Sequence, residues 1–414
     1  MWKMGRQSNE SYFNEKATPT EGAASPIDDK KNAILEACSQ RDIDALKALA
    51  ESPGGLLSDS IRQQAWPILL GLPSDPEKLD AESSSWHSLP IHKDEDQVQL
   101  DVNRAFIYYP QHQTEAQLSR AKTLLSDLII SVLRHHPYLS YFQGYHDIAQ
   151  VLLLTLPPRL HASSLTYLSL FHIRDFMLPS LAPAIAQLRL LPQILHRADP
   201  NLWHHLSGTE PFFALSGTLT MYAHDVTTQG EIARLFDVLL ARDPAFTVYL
   251  FAAIVCARRT ELFDTPPDEP EMLHSILSKL PVPLDVEGLI TRAVELERRV
   301  PPESLPAWRK GVSRWSVLKT GRDTDCAGGV SEQGRSRGVE QGREWFEKQV
   351  RELEWDERKK KVAIWAWKNR RPAGMVGMTI LVAVLAVLLR KAALPSPAAA
   401  RLEWATSWVA RWWG

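Results

Sequence analysis

The sequence predicts an all-α protein. Apolar residues recur at the spacing of one helix face, as in Leu118, Ala121, Leu125 and Leu128, and that period is typical of amphipathic helices. No segment alternates convincingly between apolar and polar residues, and no Asn-Gly hairpin turn occurs, so strands are not expected. Of the 414 residues 44% are hydrophobic, which is enough for a sizeable core.

The predicted helices follow one another along the chain. The first covers 31–51, where Ser-Pro-Gly-Gly ends it, and the second begins at Ser58 or Asp59. Residues 72–93 are polar and rich in proline, so we expect a loop there. Thr114 and Gln117 form a capping box at the start of the clearest helix. The full set of predicted helices is 31–51, 58–71, 94–106, 114–136, 145–155, 161–177, 181–196, 212–225, 230–242, 246–260, 270–279, 285–299 and 343–368.

Composition divides the chain into six predicted parts. Residues 319–342 are rich in Gly, Arg, Ser and Asp, a composition typical of linkers. The parts are a disordered amino terminus (1–30), a helical domain (31–305), a linker (306–342), a charged juxtamembrane helix (343–372), a single transmembrane helix (373–391) and a short tryptophan-rich lumenal tail (392–414).

One apolar segment predicts a membrane anchor. In residues 373–389 only Thr379 is polar, and cationic residues flank the segment on both sides. As a helix it spans about 25 Å, which suits a thin bilayer such as the endoplasmic reticulum. More cations precede it than follow it, so the amino-terminal domain is expected on the cytosolic side. A buried core helix is the alternative interpretation.

Several functional classes are disfavoured by composition. The formal charge of −2 gives no basic excess for nucleic acid. The three cysteines are far apart and odd in number, which fits a reducing compartment. The adjacent pairs His135-His136 and His204-His205 point to different sides of a helix and predict no metal site. No Walker-type glycine-rich loop occurs, so no tight nucleotide binding is expected.

Arg104 and Gln143 are the candidate catalytic residues. An arginine supplied in trans neutralises charge on a transferring phosphoryl group, and an amide side chain orients the attacking water. Together they have the chemistry that accelerates a slow GTPase. The alternatives are an ion pair of Arg104 with Asp101 one turn earlier and an ordinary turn between helices at Gln143.

Motifs around these residues carry a family resemblance. In order, the sequence contains Arg62-x-x-x-Trp66-Pro67, Val98-x-x-Asp101-x-x-Arg104 and Tyr141-x-Gln143-Gly144. They resemble the signature motifs of the TBC domain of Rab GTPase-activating proteins. Further segments resemble the tail-anchored branch of that family, which works at the endoplasmic reticulum on an early-secretory Rab: Gly144-Tyr-His-Asp-Ile148, His172-Ile-Arg174-Asp175-Phe176-Met177 and Arg234-Leu-Phe236-Asp237. The resemblance covers residues 30–305 and the membrane anchor.

The resemblance implies roles for individual residues. Arg104 corresponds to the arginine finger, and Gln143 to a glutamine finger that replaces the Rab's own water-positioning glutamine. Asp101 is expected to hold Arg104, while Tyr141 and Gly144 shape the glutamine turn. Arg62 and Trp66 are also expected to bind the partner or to position the fingers.

It also implies how the protein works. GTP and Mg²⁺ belong to the partner Rab GTPase, so the chain needs no cofactor of its own and regulates an enzyme without being a hydrolase. The alternative function is a membrane-anchored adaptor that binds a Rab without accelerating hydrolysis. The choice of Rab and the oligomeric state stay open.

Overall fold

The regular structure of the chain is helical. The computed structural model describes residues 26–74, 86–321, 338–368 and 381–385, and within these ranges it contains α- and 3₁₀-helices and no strand. The predicted all-α class is confirmed. The chain forms two compact units, Met1–Glu347 and Lys348–Gly414, and the first of them contains the helical domain.

The α-helices are numbered here in chain order. They are α1 (Pro26–Gln40), α2 (Ile43–Glu51), α3 (Asp59–Leu69), α4 (Glu95–Val102), α5 (Glu115–His135), α6 (Tyr145–Thr155), α7 (His161–Phe171), α8 (Ala182–Leu188), α9 (Leu190–Ala198), α10 (Pro200–His205), α11 (Leu215–Leu219), α12 (Gln229–Ala241), α13 (Phe246–Ala257), α14 (Arg259–Phe263), α15 (Pro270–Leu277), α16 (Val286–Arg299), α17 (Pro306–Gly311), α18 (Val317–Thr320) and α19 (Val339–Lys368). Short 3₁₀-helices connect some of them: Trp86–Ser88, Pro158–Leu160, Arg174–Phe176, Pro211–Ala214 and Pro302–Ser304.

Several predicted helices are divided in the structure. The segment predicted as one helix over 31–51 is α1 and α2, separated at Arg41, which has a φ of 53°. The Asp42 side chain accepts a hydrogen bond of 2.9 Å from the Ala45 N–H and caps α2. A capping side chain next to a left-handed residue restarts the helix in a new direction. Helix α1 begins at Pro26, so residues 26–30 are helical; residues 1–25 lie outside the described part.

The helical domain continues beyond its predicted end. Residues 306–320 belong to the predicted linker, but they contain α17 and α18. Trp308, Val312, Val317 and Leu318 are buried. Asp175 accepts a hydrogen bond of 3.1 Å from the Val317 N–H, and Arg174 donates one of 2.6 Å to the Trp315 carbonyl. Both Arg174 and Asp175 are buried, so these bonds fix the chain to the domain. Residues 322–337 lie outside the described part.

The core of the domain surrounds α13. Most residues of this helix are buried on all sides, as expected for a helix with no polar face. It packs against α9 and α16, and the Tyr249 hydroxyl donates a hydrogen bond of 2.6 Å to the Val300 carbonyl at the end of α16. Helix α13 also packs against α11, one of the helices that carry the candidate site.

A buried carboxylate joins three parts of the domain. Asp237 on α12 is fully buried and accepts hydrogen bonds from Arg62 Nε (2.9 Å) and Trp66 Nε1 (2.8 Å) on α3. It also accepts one of 3.0 Å from the Leu56 N–H in the preceding turn. Each donor compensates part of the cost of burying the charge.

The carboxy-terminal predictions are only partly covered. The charged helix predicted over 343–368 is observed as α19, which begins four residues earlier. The predicted transmembrane helix (373–391) lies outside the described residues except for a helical stretch at 381–385, and the tail (392–414) lies wholly outside them. No helix among the described residues is long and apolar enough to cross a bilayer.

We expect Asp237→Ala to destabilise the domain by about 3–5 kcal/mol, because it leaves the buried Arg62 charge without its main partner. The measurement is urea unfolding of the purified chain. The matched control is Asp59→Ala, which removes the other partner of Arg62. The Asp59 side chain is 44% exposed, so this variant should lose less than about 1 kcal/mol of stability. Equal losses for the two variants would show that Asp237 is no more important than a surface partner.

Candidate functional site

An open cleft of about 380 Å³ contains both candidate catalytic residues. Its walls come from three segments: the end of α4 with the loop that follows, the start of α6, and residues 215–224. Arg104 comes from the first wall and Gln143 from the turn before the second. Two residues that are far apart in sequence therefore face one space.

Arg104 lies just beyond α4 and is exposed. Its N–H donates a hydrogen bond of 2.9 Å to the Asp101 carbonyl, which continues the last turn of the helix. Within the described part of the chain, the Arg104 guanidinium has no hydrogen bond or ion pair. The alternative of a side-chain pair with Asp101 is therefore not observed, and the guanidinium is available to a ligand.

Asp101 contacts Arg104 through its backbone carbonyl and Tyr141 through its side chain. Its carboxylate is buried and accepts hydrogen bonds from the Tyr141 hydroxyl (2.9 Å) and from Gln97 Nε2 (3.0 Å). The expected role of Asp101 in holding Arg104 stays a prediction, and the contact between the two residues is the backbone hydrogen bond described above. The side chain instead ties the arginine segment to the glutamine segment through Tyr141.

The loop after Arg104 is held by a residue that the sequence did not indicate. Phe106 has a φ of 61°, which is strained for a bulky side chain. Its N–H donates a hydrogen bond of 2.9 Å to the buried Gln150 Oε1, and Gln150 Nε2 donates one of 3.4 Å to the Tyr109 carbonyl. The only signal was a glutamine within an apolar stretch of α6, and buried amides need partners.

Gln143 is exposed and ends a turn that only glycine can complete. Gly144 has a φ of 99°, and a Cβ on it would lie 2.5 Å from Thr220 Cγ2. Both the left-handed backbone and the contact with Thr220 therefore require glycine. As for Arg104, the described residues offer the Gln143 amide no hydrogen-bond partner.

Tyr141 is the contact between the two segments. Besides its bond to Asp101, its hydroxyl lies 3.3 Å from His146 Nδ1. Burial, and then the charge of Asp101, raise the pKa of Tyr141 far above its usual range, so the hydroxyl stays protonated and keeps donating. The predicted role of Tyr141 in shaping the glutamine turn remains a prediction, but its position fits that role.

The hydrogen bonds continue across the floor of the cleft to Asp147 and His224, which sequence reasoning did not assign. Asp147 Oδ2 accepts a bond of 2.9 Å from His224 Nδ1, and Asp147 Oδ1 lies 3.3 Å from His146 Nε2. The bond to Asp147 raises the pKa of His224, whereas burial lowers the pKa of His146. A carboxylate between two histidines joins the second and third walls.

Arg62 and Trp66 do not line the cleft. The structure places both on α3 against Asp237, where they bind neither Arg104 nor Gln143. The finger-positioning or partner-binding role expected for them stays a prediction, and in the structure both side chains donate to the buried carboxylate of Asp237. Their motif stabilises the domain that presents the cleft.

Comparisons with known proteins agree on one family. Residues 59–263 match the Rab-GTPase-TBC domain. GTPase-activating protein gyp10 of Schizosaccharomyces pombe is 35% identical over 297 residues, which are 71% of this chain and 79% of that protein. TBC1 domain family member 20 of Homo sapiens is 35% identical over 286 residues, which are 68% of this chain and 69% of that protein.

A solved structure has the same fold. The crystal structure of the Ypt/Rab-GAP domain of Gyp1p aligns with a TM-score of 0.50 at 18% identity, over 64% of this chain and 99% of that one. At this identity the likeness supports the helical fold alone.

We expect the pKa of His224, measured by NMR titration, to lie above the ordinary value of about 6.5. Because the folded state raises this pKa, the Asp147–His224 pair stabilises the fold fully below the unfolded pKa. That stabilisation is lost as the pH rises through the folded pKa. Asp147→Asn should return the pKa of His224 towards its ordinary value, and an unchanged titration curve in that variant would contradict the assignment.

Proposed function

Since the chain belongs to the Rab-GTPase-TBC domain family, we propose that it accelerates GTP hydrolysis by a Rab-family GTPase through Arg104 and Gln143, supplied in trans. One observation carries the proposal: both side chains are exposed in the same cleft, and neither is engaged by the described part of the chain. A partner's nucleotide that enters the cleft meets both groups at once.

Arg104 is proposed to act as the arginine finger. Its planar guanidinium binds two phosphate oxygens at once and carries its charge at every physiological pH. That charge stabilises the negative charge that develops on the phosphoryl oxygens during transfer, an effect on the order of 10³- to 10⁵-fold in rate. No ion pair within the described residues has to be broken first, so Arg104 is available to the incoming phosphates.

Gln143 is proposed to orient the attacking water. An amide side chain offers an acceptor for one water proton and a donor for a backbone oxygen. The turn at Gly144 fixes the backbone from which this side chain extends. Gln143 would then perform the task of the Rab's own water-positioning glutamine, as the resemblance implies.

GTP and Mg²⁺ are proposed to arrive with the partner. The sequence lacks a phosphate-binding glycine-rich loop, the motif that cradles the phosphates in proteins that bind a nucleotide themselves. The chain needs no cofactor of its own in this mechanism.

We further propose that the protein works at the endoplasmic reticulum or another early-secretory membrane, on a Rab of ER-to-Golgi traffic. The support is the apolar segment 373–389 with its flanking cations and the resemblance to the tail-anchored branch. Such an anchor leaves residues 31–305 in the cytosol, where Rab GTPases are found.

We expect Arg104→Ala and Arg104→Lys to lower the stimulated rate of GTP hydrolysis by on the order of 10³-fold, because no other group replaces the bidentate guanidinium. Gln143→Ala should lower it by at least about tenfold, since water is then positioned less well. The measurement is single-turnover GTP hydrolysis by a panel of Rab GTPases with each purified variant.

The matched controls are Arg120→Ala and Gln64→Ala, which change exposed residues of the same types outside the cleft and should leave the rate within about twofold. Full stimulation by Arg104→Ala would contradict the proposal. Rab binding without stimulation by the wild-type chain would instead identify the adaptor.

A further inference from the structure

The first turns of α19 pack into the helical domain. Trp345 and Phe346 are 2% and 3% exposed, although they lie far beyond the residues that match the family. Both belong to the first compact unit, which ends at Glu347. We name residues 338–347 the clasp.

One contact of the clasp reaches the segment that carries Gln143. The ring of Phe346 lies 5.0 Å from the ring of Tyr138, and the guanidinium of Arg343 lies 5.8 Å above the same ring. Tyr138 precedes Gln143 by five residues in the connection between α5 and α6. Phe346 therefore packs against the beginning of this connection and lies outside the cleft.

A second contact reaches the same connection through Arg174. Trp345 packs edge-on against Phe171, with ring centroids 6.1 Å apart. The guanidinium of the fully buried Arg174 lies 5.5 Å from the centroid of the Trp345 ring. Arg174 begins the 3₁₀-helix that ends at Phe176. A change at Trp345 therefore acts on this short helix.

That 3₁₀-helix contacts the connection beside Gln143. Phe176 packs against Phe142 with ring centroids 5.9 Å apart, and the next carbonyl, of Met177, accepts a hydrogen bond of 2.8 Å from the Ser140 N–H. Phe142 is the neighbour of Gln143. The two contacts of the clasp thus converge on residues 138–142.

Close backbone approach fixes the position of the clasp. A Cβ on Gly342 would lie 2.9 Å from Leu170 Cβ, so no larger residue fits there without movement. Gly342 therefore allows α19 to approach α7 closely, three residues before Trp345.

We propose that the clasp is a positioning element for Gln143: it holds the connection between α5 and α6 and so fixes the direction of the glutamine side chain. The inference rests on the proposed role of Gln143. Trp345 and Phe346 are positioning residues, because neither lines the cleft. The clasp is continuous in the chain with the rest of α19, which continues to Lys368.

We expect Trp345→Ala and Phe346→Ala in the full chain to lower kcat for stimulated GTP hydrolysis by about tenfold, with KM within about twofold. A catalytic group displaced by a fraction of an ångström loses rate without losing partner binding. The matched control is Trp355→Ala, at a side chain that is 59% exposed on the same helix. Phe346→Leu, which keeps apolar packing, should restore most of the rate.

Two further measurements separate positioning from general damage. In a Gln143→Ala background, Phe346→Ala should cost less than about twofold, because the group that it positions is already absent. In wild-type Gln143, Phe346→Ala should increase hydrogen exchange at the amides of Ser140 and Tyr141 at least about tenfold, whereas Trp355→Ala should not.

The proposal is overturned if Phe346→Ala matches Trp355→Ala in kcat, or if its loss is undiminished without Gln143. Unchanged hydrogen exchange at residues 140 and 141 would show that the clasp does not hold the connection between α5 and α6. This measurement does not depend on GTPase stimulation. A chain that fails to stimulate any Rab, yet shows the exchange change, would contradict the proposed function and not the contact.

Discussion

The candidate site depends on the hydrogen bond between Tyr141 and Asp101. It joins the segment that presents Arg104 to the segment that presents Gln143 over 2.9 Å, although the two residues lie 40 positions apart. Asp101 is buried and Tyr141 is partly buried, so loss of the bond would leave a buried carboxylate short of a partner. The raised pKa of Tyr141 keeps the donor protonated. Two further bonds join the same segments: the Tyr141 N–H donates to Asp94 Oδ2 at 2.9 Å, and the Phe106 N–H donates to Gln150 Oε1 at 2.9 Å.

The rest of the domain supports that bond from behind. Gln150 compensates the strained backbone at Phe106, and Thr220 packs against Gly144, so each segment is fixed on a second side. Further away, Asp237 binds α3 to α12, and α13 fills the core between the outer helices. The exposed residues of the cleft are thus presented by segments that are each held by buried hydrogen bonds or packing, and a rigid scaffold keeps catalytic groups in place.

Much of this architecture followed from the sequence, with clear limits. The capping box at Thr114 and the helical spacing of the apolar residues predicted α5 correctly, because both signals are local. The short helices after residue 305 were missed, since they depend on contacts with distant residues such as Asp175. The break at Arg41 was missed although its capping residue, Asp42, is local. Arg104 and Gln143 were identified by motif, whereas Gln150, Asp147 and His224 were not, because their partners are known only once the chain has folded. Arg62 and Trp66 were also recognised by motif, but their hydrogen bonds to Asp237 could not be read from the sequence, because Asp237 lies more than 170 residues away.

The most direct test is a crystal structure of the chain with a Rab GTPase, GDP, Mg²⁺ and aluminium fluoride, which mimics the transferring phosphoryl group. The account predicts that the Arg104 guanidinium contacts the fluoride ligands and the β-phosphate, and that the Gln143 amide contacts the water in line with them. A complex in which the nucleotide lies away from the cleft, or in which Arg104 and Gln143 both remain in solvent, would contradict it.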